Sequence, residues 1–217
     1  MGGFFPVHVH SPGDRPSPPW RTLRSLVDAP EPLDARIDFV DMTLRAGGQD
    51  ISARVAASVV HLGLCGRILA PALASLSLGL RPLHLDADAV WCQDDLGGAY
   101  PLSVTPGGST DLLRGVITEL VALVGERYGV GQRTLWGNIA STINSAARQL
   151  ALARPDVAGA AEGVAASALR DPRVEGGALR PGLGFRRRSC CLIYQACGPQ
   201  AAVCGDCVLG VRSSTAR

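Results

Sequence analysis

Apolar positions recur at helical spacing over most of this chain, and the places where that rhythm stops set its organisation. Ile51, Val55, Val59, Leu62 and Leu64, joined by Ala56, Val60 and Leu69, predict helices over about 50–64 and 66–78, with Gly79 as a stop. Leu112, Val116, Leu120 and Leu123, with Ile117 and Val124, form an apolar stripe to about Arg127, with Ser109 or Thr110 as its cap. Gly129 and Gly131 end it, and the next helix opens at Arg133 and runs through Trp136, Ile143, Ala147 and Leu150 to about Ala153. An alanine-rich helix is expected over about 157–170. Earlier in the chain, Trp20 to Val27 has room for one short helix before the break at Ala29-Pro30-Glu31-Pro32.

The helical period fails in three places. Residues 82–92 alternate in character, Asp94-Asp95-Leu96-Gly97-Gly98 is turn chemistry, and Ala99 to Val104 follows, a pattern that predicts a β-hairpin. Residues 1–19 hold Pro6, Pro12, Pro16, Pro18 and Pro19 and are expected as a loose, disordered tail. Residues 171–185 form a connector without pattern. The expected fold is mainly α with a small β-hairpin, an α+β arrangement, ending in an irregular cysteine-rich segment. Its parts are a tail at 1–19, a helical domain at 20–185 and a C-terminal segment at 186–210.

Composition narrows the class. Hydrophobic residues at 47% suit a globular core, and aromatics at 5% make that core aliphatic. A net charge of +2 gives no argument for nucleic-acid binding. No run of about 18 apolar residues is evident, so no transmembrane segment is expected. The first 19 residues lack the pattern of a secretory signal, which predicts the cytoplasm. Several polar residues have ordinary structural readings. His8 and His10 belong to the tail, His61 and Cys65 to apolar helix faces, Cys92 to packing, and Asp86, Asp88, Asp94 and Asp95 to the hairpin.

The chemistry concentrates near the C-terminus. Cys190 and Cys191 are adjacent, Cys204-Gly205-Asp206-Cys207 follows, and Cys197 lies in the loop between. In a reducing compartment such clustering reads as metal or redox ligation rather than disulfides. Leu192, Ile193, Tyr194, Val203 and Val208 offer too little apolar area to order the segment without a further constraint. A structural zinc site usually has two C-x-x-C-like turns, and only one is present. Adjacent side chains tend to diverge, which suits an object with two irons better than one ion. Spacing favours a cluster, and zinc stays open.

The run Arg186-Arg187-Arg188-Ser189-Cys190-Cys191-Leu192-Ile193-Tyr194, followed by Cys204-Gly205-Asp206-Cys207, resembles the C-terminal motif of the FhuF family of [2Fe–2S] ferric siderophore reductases. Arg133-Thr134-Leu135-Trp136-Gly137-Asn138 and the order of helices and hairpin also look like that family, over roughly residues 20–210. The resemblance implies a [2Fe–2S] cluster on Cys190, Cys191, Cys204 and Cys207 and one-electron reduction of siderophore-bound Fe(III). It also implies a ferric siderophore substrate, with a hydroxamate as the candidate type, and an unidentified electron donor. The location implied is cytoplasmic, with peripheral association at the inner membrane face as a variant. Arg186, Arg187 and Arg188 are candidates to offset cluster charge or attract the chelate, and Trp136 and Asn138 to line a docking face. The alternatives are a cluster-bearing sensor or assembly partner, and a helical binding module with structural zinc.

Overall fold

The computed structural model describes residues 5–48, 50–96, 98, 100–174, 184–196 and 206–208. Its architecture is mainly helical with one small mixed sheet, as the sequence pattern predicts. Helix α1 (Leu23–Asp28) opens on Thr22, whose hydroxyl accepts from the Ser25 N–H. Helix α2 (Glu31–Arg45) is one that the sequence reading missed. Pro30 and Pro32 look like a break, yet Pro32 stands in the first turn, where a helix has no N–H to lose. Glu31 and Asp34 in that turn and Arg45 in the last complement the helix dipole, and Leu33 and Ile37 bury one face.

Helix α3 (Ala53–Ser77) is continuous where two helices were expected, and carries Gly63, Gly66 and Pro71 in its interior. Each interior glycine costs about 1 kcal/mol and the proline about 3 kcal/mol. Burial outweighs them, because α3 contacts α2, α4, α5 and α6 and is apolar nearly all round. By length and composition α3 is the one helix among the described residues long and apolar enough to cross a bilayer, a test that a buried core helix also passes. Within this fold 72% of its most apolar window is enclosed by protein.

Helix α4 (Val116–Tyr128) starts later than expected from Ser109 or Thr110. The Ser109 hydroxyl accepts from the Asp111 N–H and the Asp111 carboxylate from the Leu113 N–H, so local turn bonds occupy residues 109–113. Gly115, at φ +60°, then lets the chain pass close enough for the Val116 N–H to reach the Leu85 carbonyl at 2.8 Å. Helix α5 (Gln132–Ala153) packs along α3, and α6 (Ala158–Ala168) lies against both.

The sheet has the order β1-β4-β3-β2, from β1 (His8–Val9), β2 (Arg21–Thr22), β3 (Trp91–Cys92) and β4 (Leu102–Val104). The hairpin is thus shorter than predicted, with Trp91 opposite Ser103 and Cys92 opposite Leu102. The loose tail expected at 1–19 is corrected over its described part. β1 pairs parallel with β4, the His10 ring meets the Ser103 hydroxyl at 2.8 Å, and His8 stacks edge-on against Trp20. An extended, proline-rich strand can join a sheet at its edge, which composition alone conceals. The aspartates keep their ordinary roles; Asp94 pairs with Arg21 and Asp88 with Arg24.

Candidate metal centre

The cysteine segment is fastened to the helical body by buried bonds. Phe185 enters the hydrophobic core ahead of the arginine run. The three arginines then part company: Arg186 and Arg188 are exposed, while Arg187 is only 2% exposed. The Arg187 Nη2 donates to Asn138 Oδ1 at 2.7 Å and to the Thr134 carbonyl at 3.3 Å, both on α5. Its backbone N–H donates to the Asp206 carbonyl at 3.0 Å, tying the two ends of the cysteine motif together.

Asn138 is fully buried. Its Nδ2 donates to the Ser58 carbonyl at 3.0 Å and lies 3.1 Å from the Ser58 hydroxyl on α3. That hydroxyl in turn donates to the Cys191 carbonyl at 2.9 Å. A second tie runs from the Ser141 hydroxyl on α5 to Asp206 Oδ2 at 2.6 Å. Helices α3 and α5 therefore present a polar strip, Ser58, Asn138 and Ser141, that receives both halves of the motif. Its buried polar groups are nearly all paired, as stable burial requires.

Among the described residues no three His, Cys, Asp or Glu side chains converge as ligands of a single ion. Cys190, Cys191 and Cys207 are nevertheless near neighbours. Burial pushes the Cys190 thiol up, the Leu192 N–H donated to its sulfur at 3.3 Å pulls it down, and the charges of Cys191 and Cys207 raise it again. Cysteines this close together suit a shared metal centre. Two further features fit. Leu192 holds φ +70°, an uncommon backbone for leucine that aims its N–H at sulfur. Among the described residues the buried Arg187 Nε has no hydrogen-bond partner, in a site whose thiolates would carry negative charge. Cys204, the fourth expected ligand, lies outside the described residues, as do Cys197 and Gly205.

Residues 187–209 match the FhuF 2Fe–2S C-terminal domain. That match bears out the resemblance read from the cysteine spacing, and it points to a [2Fe–2S] cluster rather than zinc. No curated protein matches the chain. Donors from the FhuF 2Fe–2S domain suited to such a cluster are Cys190, Cys191 and Cys207, with Cys204 the fourth position of the motif.

Two sequence expectations for this site change. Asn138 and Trp136 do not line an open docking face. Asn138 is spent on Arg187 and Ser58, and Trp136 is 8% exposed, with the Arg173 guanidinium 5.0 Å from its ring centre. Of the three arginines offered to offset cluster charge, Arg187 alone is buried. Ser58, Ser141 and Asp206 were missed, because a lone serine on an apolar helix face gives no signal until its partner is known. His61 is, as expected, a buried histidine, 3.5 Å from both Cys65 and Asn138.

A cavity of about 340 Å³ opens beside the Ser141–Asp206 tie, between α3 and α5. Val59, Leu62, Gly63, Ser141, Ser145 and Gln149 are among its lining, and the described residues that form it carry no charge. A side chain built at Gly63 would meet nothing within 4 Å.

Proposed function

We propose that this protein is a ferric siderophore reductase, delivering one electron to siderophore-bound Fe(III) so that Fe(II) leaves the chelator. The observation that carries the reading is the FhuF 2Fe–2S domain at residues 187–209, a domain of a siderophore-iron reductase family. The bound [2Fe–2S] cluster supplies a one-electron carrier, matched to a one-electron change in the substrate.

Siderophores hold Fe(III) through hard oxygen donors, and those donors hold Fe(II) far less well, so a single electron suffices for release. The chain's own residues anchor the described parts of the cysteine segment and partly shield them. Ser58 fixes the Cys191 carbonyl, Ser141 fixes Asp206 next to Cys207, and Arg187 bridges the two halves. Rigid ligand loops reduce the reorganisation that accompanies electron transfer. The cavity beside the Ser141–Asp206 tie is where the chelate rests in this reading, with exposed Tyr194 and Val208 on the cysteine segment. Its uncharged lining suits a neutral ferric hydroxamate better than a strongly anionic chelate. The electron donor is a separate protein or small reductant. In this reading the reaction is cytoplasmic, with peripheral association at the inner face of the membrane as a variant.

The test is a single turnover. Protein reduced with dithionite, desalted and mixed anaerobically with a ferric trihydroxamate is expected to regain its visible absorption. One Fe(II) should be trapped by a ferrous-specific dye for each electron lost. Failure of a reduced, cluster-loaded protein to yield Fe(II) would leave a sensor or assembly role instead.

A further inference from the structure

Arg187 is a buried cation with no ion-pair partner among the described residues. Among the described residues its two side-chain hydrogen bonds end on neutral oxygens, Asn138 Oδ1 and the Thr134 carbonyl, and its Nε has none. Among the described residues no carboxylate stands within ion-pair distance of it; Asp206 meets it only through a backbone carbonyl and gives its carboxylate to Ser141. Removing a guanidinium from water in this way is strongly disfavoured unless negative charge is supplied close by. The thiolates of the cysteine segment are a source, since Arg187 stands three residues before Cys190 and its backbone N–H bonds the carbonyl of Asp206, next to Cys207.

We infer that Arg187 is the internal counter-charge of the cysteine-bound cluster, and that it, rather than its exposed neighbours Arg186 and Arg188, sets the reduction potential. Four thiolates, two sulfides and two ferric ions sum to a formal charge of about −2, which becomes about −3 on reduction. A fixed buried cation stabilises the more negative state and raises the potential. The same charge on Arg186 is screened by water and salt within roughly 8–10 Å. Asn138 acts as a positioning residue, because its bonds to Ser58 hold Oδ1 where the guanidinium must lie. The inference rests on the cluster and not on siderophore turnover.

The experiment is a redox titration of the purified holoprotein, followed by visible absorption, for wild type, Arg187→Gln, Arg187→Lys, Arg186→Gln and Asn138→Asp. Arg187→Gln is expected to lower the midpoint potential, by an amount that does not shrink between 0.05 and 0.5 M salt. Arg187→Lys should keep most of the wild-type value, since charge rather than shape is at issue, and Arg186→Gln should keep nearly all. Asn138→Asp gives the guanidinium a carboxylate partner without removing it and should also lower the potential. That variant carries the test if Arg187→Gln takes up no cluster. An unchanged potential in Arg187→Gln or Asn138→Asp, or an equal fall in Arg186→Gln, would overturn the inference. A protein without a redox-active cluster would overturn it together with the proposed function. Shifted potentials in a protein that releases no Fe(II) would uphold the inference and remove the function alone.

Discussion

Arg187 and Asn138 meet at 2.7 Å with both side chains out of solvent, and this contact joins the cysteine segment to the helical body. Through Asn138 the guanidinium is linked to Ser58, and through Ser58 to the carbonyl of Cys191. Asn138→Leu, close in size, removes the acceptor of Arg187 and the donor to Ser58 at once. Leaving buried polar groups unpaired costs about 1–3 kcal/mol each. The expected outcome is loss of cluster absorbance under an iron chelator at least tenfold faster than in wild type, with the helical circular dichroism retained. An unchanged rate would show that the segment is held elsewhere.

His61 supplies a prediction in pH. Burial, and then the charge of Arg187, bring its pKa down to about 3, so the folded protein keeps it neutral. The unfolded chain takes up that proton near pH 6.5. The contribution of neutral His61 to stability is therefore fully present above about pH 6.5 and falls as pH drops toward 3. Between pH 7 and pH 5 the loss amounts to about 2 kcal/mol. In an NMR titration, one of the four histidines should stay neutral down to pH 4 and be missing from His61→Gln. Four histidines all titrating between pH 6 and 7 would contradict the buried position.

Gly63 tests the cavity. It sits inside α3 with open space where a side chain would go, so no close approach of another backbone explains a glycine there. Gly63→Leu should preserve or raise thermal stability, because a glycine inside a helix costs about 0.5–1 kcal/mol relative to alanine. The leucine would occupy the cavity, and KM for a ferric trihydroxamate should rise at least tenfold. Reduction of ferricyanide, which needs no cavity, should be unchanged. An unaltered KM would place the chelate elsewhere.

How far the sequence shows this structure depends on where each feature's cause lies. The apolar stripe at Val116, Leu120 and Val124 is local, and its helix is observed. The cysteine spacing is local too, and it was enough to point to the FhuF 2Fe–2S domain. Helix α2 was hidden because Pro32 reads as a breaker unless it is known to stand in a first turn. The continuity of α3 past Gly66 and Pro71 follows from four neighbouring helices, information the local pattern lacks. The short β1 strand depends on a partner some ninety residues away, Ser103 opposite His8. Ser58, Ser141 and the distinct fate of Arg187 among three arginines are long-range facts of the same kind.

The central claim is that the cysteine segment holds a two-iron cluster, and the most direct measurement is metal content with a visible spectrum. Protein purified without oxygen should contain two irons and two acid-labile sulfides per chain, little zinc, and absorption bleached by dithionite. Cys204→Ser should abolish that absorption and Cys197→Ser should leave it. One zinc per chain in a colourless protein would contradict the account.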